Sequence, residues 1–122
     1  MSVRPAKPAV AAALLSVALG APCAAPTALK NPFEGDEQRV EEGRSLFNQY
    51  CSHCHAPNAQ TGERVRDVRR MKIRYGERMT EVFWKTVQEG RVDRGMPAWQ
   101  GALPEETLWS IYTFIQSVQK ER

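Results

Sequence analysis

Cys51-Ser52-His53-Cys54-His55 is the stretch that decides how this chain must fold. It places two thiols three positions apart on one turn, with an imidazole directly after the second. That is the C-x-x-C-H pattern of c-type haem attachment. Two cysteines so spaced can form thioethers to the two vinyl groups of one haem, and His55 is then set beneath the iron. The rival readings are a structural disulfide, a thioredoxin-like redox pair or half a zinc site, and each uses only part of these five residues. A zinc site wants a second ligand pair, yet His53 is the only other histidine and no cysteine follows position 54. A thioredoxin-like pair wants a βαβ context that the sequence lacks. The expectation is one covalently bound haem c, held by Cys51 and Cys54 and ligated by His55.

Working outward, Val40, Gly43, Phe47 and Tyr50 recur at three- and four-residue steps before the motif, as in an amphipathic helix capped by Asp36. Gly43 lets a second helix approach closely. Downstream, Thr80 is expected to cap a helix whose buried stripe is Val82, Phe83 and Val87, and Gly90 stands where a helix C-terminal glycine belongs. Pro104 opens a third helix with the strongest apolar stripe of the chain: Leu108, Ile111, Tyr112, Ile115 and Val118. No stretch alternates like a strand. The expected fold is all-α, with three main helices packed around the haem.

A sixth iron ligand must come from elsewhere, because His53 is held between the two thioethers. Met71 lies in a basic run and Met79 precedes the second helix, whereas Met96 stands in the loop Gly95-Met96-Pro97. Glycine frees the backbone there, and proline fixes φ and removes an N–H, so the Met96 thioether can be held toward the iron. An iron between His55 and Met96 has no vacant position, which leaves electron transfer as its chemistry, at a raised reduction potential. The rival is a haem enzyme or sensor with an open sixth position, peroxidase-like or gas-binding.

The amino terminus carries a compartment signal. Arg4 and Lys7 precede an apolar stretch over residues 9–19, the n- and h-regions of an export peptide. Residues 1–25 are expected to be that signal, with the cleavage point open between Gly20 and Ala25. Gly20 and Pro22 interrupt the stretch, so no stable membrane insertion is expected. Cys23 either leaves with the signal or becomes an acylated anchor, and Pro22 argues against the anchor. Residues 26–35 read as an extended arm, and residues 36–122 as the haem domain. Of 122 residues, 17 are Lys or Arg and 14 are Asp or Glu; losing Arg4 and Lys7 leaves 15 against 14, too even for general affinity to nucleic acid. About 97 residues make a marginal core from side chains alone. The haem would complete it.

With these residues in place, the chain resembles the class I c-type cytochromes over about Asp36 to Val118. The resemblance implies that Gly43 and Phe47 of the first helix cross the last helix at Phe114 and Ile115. A narrower likeness rests on Asn31-Pro32-Phe33-Glu34-Gly35, Tyr75-Gly76, Gly90-Arg91, Gly95-Met96-Pro97-Ala98-Trp99 and Leu108-Trp109. It is to soluble cytochromes that take electrons from periplasmic pyrroloquinoline-quinone alcohol dehydrogenases. Lys72 and Ile73 depart from it, since a tryptophan often precedes the Tyr-Gly pair in those proteins. The likeness implies a periplasmic carrier between a dehydrogenase donor and an oxidase or cytochrome acceptor, working as a monomer or in transient complexes.

Residues 63–78 hold seven cations against three carboxylates, either a solvated face or a docking surface for an acidic partner. Arg74, Tyr75 and Arg91 are candidates to hold the haem propionates, and Trp99 is expected to pack at the ring.

Overall fold

The computed structural model describes residues 1–13, 19–22 and 27–122. Cys23 and part of the apolar stretch over residues 9–19 lie outside them. Among the described residues, α-helices are the main regular elements: α1 (Glu37–Tyr50), α2 (Ser52–His55), α3 (Met71–Tyr75), α4 (Met79–Glu89) and α5 (Glu105–Ser117), with 3-10 turns between them. The three longest, α1, α4 and α5, are the three main helices expected from the apolar stripes. No helix among these residues is long and apolar enough to cross a membrane.

Helix α1 starts where its sequence says it must. The Asp36 carboxylate accepts from the backbone N–H of Gln38 and Arg39, satisfying two donors that have no partner inside the helix. Its buried face is Gly43 and Phe47, and it lies on α5. A Cβ at Gly43 would stand 2.6 Å from the Ser110 carbonyl carbon and 3.0 Å from Phe114 Cβ, so only glycine permits this approach. Phe47 and Phe114 then meet with ring centroids 5.4 Å apart. Arg39 reinforces the crossing through Glu106 at 2.6 Å, an exposed pair of small worth.

Helix α5 is buried from Leu108 to Ile115, and α4 packs its Met79, Phe83 and Val87 face into the same core. Phe83 stacks on Tyr112 at 4.5 Å and Trp84 on Trp109 at 4.1 Å, so both tryptophans are packing residues. Met71 and Met79 are likewise buried in this core.

Thr80 does not cap α4. The helix begins at Met79 after the 3-10 turn Gly76–Arg78 and has no side-chain cap. The Thr80 hydroxyl is instead 2.8 Å from that of Tyr112, a group with no solvent exposure, and supplies the partner that a buried phenol needs.

The segment over residues 26–35 divides. Residues 27–30 are exposed and irregular, while residues 31–35 form a turn docked on the core. Asn31 is buried and donates to Thr113 Oγ1 at 2.9 Å and Gln116 Oε1 at 2.6 Å on α5. Phe33 lies under the Arg39 guanidinium, 4.0 Å from its ring centroid.

Candidate haem site

The motif sits where α1 gives way to α2. Tyr50 ends α1, the Cys51 N–H still bonds to Phe47 O at 2.8 Å, and Cys54 and His55 donate their N–H groups back to Cys51 O. Both thiols are free, Cys51 half-buried and Cys54 exposed. Burial, with a smaller effect from Cys54, pushes the Cys51 thiol up to about 12.

After His55 the chain turns through unusual backbone. Ala56, Asn58 and Ala59 all have positive φ, a conformation worth about 1–3 kcal/mol of strain per residue unless the surroundings impose it. Here they do. Asn48 Oδ1 accepts from Asn58 N–H at 2.7 Å while Asn48 Nδ2 donates to Asn58 Oδ1 at 3.0 Å, and Ala59 is fully buried.

The turn delivers His55 to a defined partner. Its Nδ1 lies 2.7 Å from the Arg66 carbonyl oxygen. A carbonyl can only accept, so Nδ1 carries the proton and Nε2 keeps the free lone pair.

Opposite in sequence, the Met96 loop is pinned by its backbone. Arg91 N–H donates to Met96 O at 2.9 Å and Met96 N–H to Arg91 O at 3.0 Å, an isolated antiparallel bridge that closes over the 3-10 turn Val92–Arg94. Gly90 ends α4 with φ +71°, and a Cβ there would lie 2.6 to 2.8 Å from backbone atoms of Met96, Pro97 and Ala98. The expected helix-ending glycine thus has a second role, letting the methionine loop lie against the end of α4. Trp99 N–H donates to Val87 O at 2.8 Å, and its ring meets Tyr50 edge-on at 5.9 Å. Tyr50 adjoins Cys51, so this aromatic pair joins the two segments that carry the candidate ligands.

The candidate propionate partners separate. Tyr75 and Arg91 line one open cavity of about 320 Å3, together with Arg78 and Lys85. Arg74 is not part of that wall and donates to the Arg64 carbonyl; Trp99 belongs to the Tyr50 contact.

One group had no signal in the sequence. Asp67 is only 3% exposed and is bonded by Arg69 and Lys120. Burial alone would raise its pKa, but hydrogen bonds from the Arg69 side chain and N–H and from Lys120 outweigh it and hold the carboxyl below the ordinary range.

Comparison with known proteins settles what these residues belong to. The family described as "Cytochrome C oxidase, cbb3-type, subunit III" matches residues 38–115. The chain belongs to the cytochrome c family, in its cbb3 type. Cytochrome c550 of Pseudomonas aeruginosa is 32% identical over 92 residues, covering 73% of this chain and 62% of that protein. The quinohemoprotein alcohol dehydrogenases ADH-IIG and ADH IIB of Pseudomonas putida are 30% and 26% identical over 90 and 91 residues, 74% of this chain in each case. The chain spans under two thirds of the cytochrome c550 and only 11% and 13% of the dehydrogenases. No solved structure matches significantly.

Membership brings a covalently bound haem c and the electron-transfer chemistry of cytochromes. The donor set of this chain fits that group. Among the described residues no cluster of three or more His, Cys, Asp or Glu could hold a bare metal ion, whereas a haem iron asks the protein for two axial donors at most. An imidazole with a free Nε2, directly after two free thiols, is what such a group requires.

Proposed function

We propose that Cys51 and Cys54 would hold the haem through thioethers, that His55 Nε2 and the Met96 sulfur would ligate its iron, and that the domain carries single electrons between larger redox proteins. The observation that carries this reading is the His55 Nδ1 contact with Arg66 O at 2.7 Å, which leaves one ring nitrogen free. The bound haem supplies a one-electron ferric/ferrous couple. The residues of the chain do the rest. The Arg66 carbonyl fixes the tautomer and plane of His55. The Arg91 bridge fixes the Met96 backbone, so that only side-chain torsions remain to aim the thioether. A neutral thioether at the iron would favour the ferrous form and so raise the potential.

The partners follow from the relatives. Two are named as alcohol dehydrogenases and the family is named for an oxidase subunit, which supports a dehydrogenase donor, of the quinone-cofactor alcohol-oxidising class, and an oxidase or second cytochrome as acceptor. On the same reading the protein works in the periplasm as a monomer or in passing complexes, residues 1–25 are its export signal, residues 26–35 the arm that leads in and docks from Asn31 onward, and residues 36–122 its haem domain. Tyr75 and Arg91 hold the propionates. The mass of the exported protein tests the first boundary.

Visible spectra of the purified holoprotein with and without carbon monoxide, repeated for Met96→Ala, test the ligation. The expected wild type is low-spin and indifferent to carbon monoxide, with a far-red sulfur-to-iron band that Met96→Ala abolishes. A wild-type spectrum that shifts with carbon monoxide overturns the six-coordinate carrier and makes peroxide and small gases the substrates to try.

A further inference from the structure

The oxygen that accepts from His55 belongs to a loop whose neighbours are fastened with unusual care. Arg66 O faces His55 Nδ1, and the next residue, Asp67, turns its carboxylate into the protein. Asp67 Oδ1 accepts from the Arg69 backbone N–H at 3.0 Å and from Arg69 Nε at 2.8 Å. Oδ2 accepts from Arg69 Nη2 at 3.0 Å and Lys120 Nζ at 3.2 Å. Every lone-pair direction of this buried carboxylate is thus engaged.

The same residues tie down the backbone on both sides. Arg69 Nη2 donates to Thr61 O at 3.2 Å, closing the loop upstream. The Lys120 N–H donates to Arg69 O at 2.7 Å. Its neighbour Gln119 donates to Val68 O at 2.8 Å and accepts from the Lys72 N–H at 2.8 Å. The last residues of the chain therefore lie across the loop as a strap. Arg66 lies between the Thr61 and Asp67 anchors, so its carbonyl cannot rotate from His55 without straining a buried, charge-assisted network.

We infer that Asp67, Arg69 and Lys120 are positioning residues that hold the Arg66 carbonyl on His55 and thereby tune the electron donation of that imidazole. The inference rests on His55 being the iron ligand. A carbonyl held on Nδ1–H makes the ring a stronger donor and favours ferric iron. Loosening the clamp weakens that donation and raises the reduction potential. The carboxyl-terminal strap, 65 residues from His55 in sequence, becomes part of what sets the potential.

The test uses 15N-labelled holoprotein and two readouts. The first is the hydrogen-exchange rate of the His55 Nδ1–H in the ferrous state; the second is the midpoint potential. In Asp67→Asn the amide NH2 faces the Lys120 and Arg69 donors, so exchange should quicken by about tenfold, as expected when a bond to a charged group is lost, and the potential should rise. Lys120→Met, which removes one arm, should move both readouts the same way by less. Asp36→Ala, which removes the remote cap of α1, should lower stability and move neither. If Asp67→Asn folds with both readouts unchanged, the clamp only stabilises the fold and the inference is wrong. If Asp67→Asn does not accumulate, Lys120→Met decides, and unchanged readouts there are equally fatal. A His55 ring without hyperfine-shifted resonances in the ferric protein instead refutes the ligand assignment itself, which keeps the two failures apart.

Discussion

Gly90→Ala is the substitution that most directly asks whether the methionine loop is a rigid part of the fold. Two costs combine at this position. The backbone has φ +71° and ψ −178°, a region that is nearly glycine-only and costs another residue about 1–3 kcal/mol. The new methyl would also stand 2.6 Å from Ala98 N, 2.7 Å from the Pro97 carbonyl carbon and 2.8 Å from Met96 O. All three are backbone atoms of a bridged segment, and overpacking of that kind adds about 1–3 kcal/mol. The sum is about 2–6 kcal/mol, against about 4–13 kcal/mol for a domain of this size. Gly95→Ala is the matched control, since Gly95 has φ +80° with nothing within 4 Å of a Cβ and should cost only about 1–2 kcal/mol of left-handed strain. Alanine restricts the unfolded chain equally in both variants, so that contribution cancels. Urea unfolding measures the two losses, and, on the proposed ligation, a far-red sulfur-to-iron absorbance reports whether the Met96 thioether is held at the iron. Gly90→Ala should lose at least 1 kcal/mol more than Gly95→Ala, roughly the smallest overpacking cost, and should weaken the far-red band. Equal losses with the band intact would refute the argument that Gly90 is fixed by close approach of the loop.

Three further outcomes follow from packing and charge. Gly43→Ala should cost about 1–3 kcal/mol by thermal unfolding, because its methyl meets the Ser110 carbonyl group on α5; a neutral result would mean that the helices part freely. Thr80→Val should cost about 1–3 kcal/mol by stranding the buried Tyr112 hydroxyl, and adding Tyr112→Phe should recover most of it in a double-mutant cycle. Asp67 has a folded-state pKa below its unfolded value, so the stability it contributes is fully present above about pH 3.9 and is lost as the pH falls through the lower folded-state value. Asp67→Asn should therefore flatten the acid limb of a stability-against-pH curve, and an unchanged limb would show that the carboxylate is not selectively stabilised by its partners.

The parts of this molecule that were legible in its sequence are those written in contiguous residues. Cys51 to His55 points to its chemistry by spacing alone, because both thiols and the imidazole sit on one turn. The stripes of α1, α4 and α5 could be read because burial on one face of a helix imposes a period of three to four residues. Asp36 could be read as a cap because its partners, Gln38 and Arg39, are two and three residues away. Thr80 misled for a related reason. Its position suits a cap, but Met79 is buried and the helix start lies two residues earlier than a Thr80 cap would give, while Tyr112, 32 residues away, offers the hydroxyl a better partner.

What stayed hidden depends on partners distant in sequence. Asp67 looked like one carboxylate among seven cations, and a charge count assigns it to a solvated face. Its burial follows only when the end of the chain returns across residues 67–72 and brings Lys120 to it from 53 residues away. The sequence around Gly90 shows its helix-ending conformation, but the space it leaves is defined by a loop whose path is set by the Arg91–Met96 bridge. The basic run over residues 63–78 therefore holds two kinds of cation. Arg69 is consumed inside the fold and Arg66 and Arg78 are paired with Glu63 and Glu81, whereas Arg64, Lys72 and Arg74 are exposed and Arg70 is half-buried, none of the four in an ion pair among the described residues. Any electrostatic steering of an acidic partner must come mainly from the exposed Arg64, Lys72 and Arg74, and so it should be weaker, with a shallower salt dependence, than seven cations would imply.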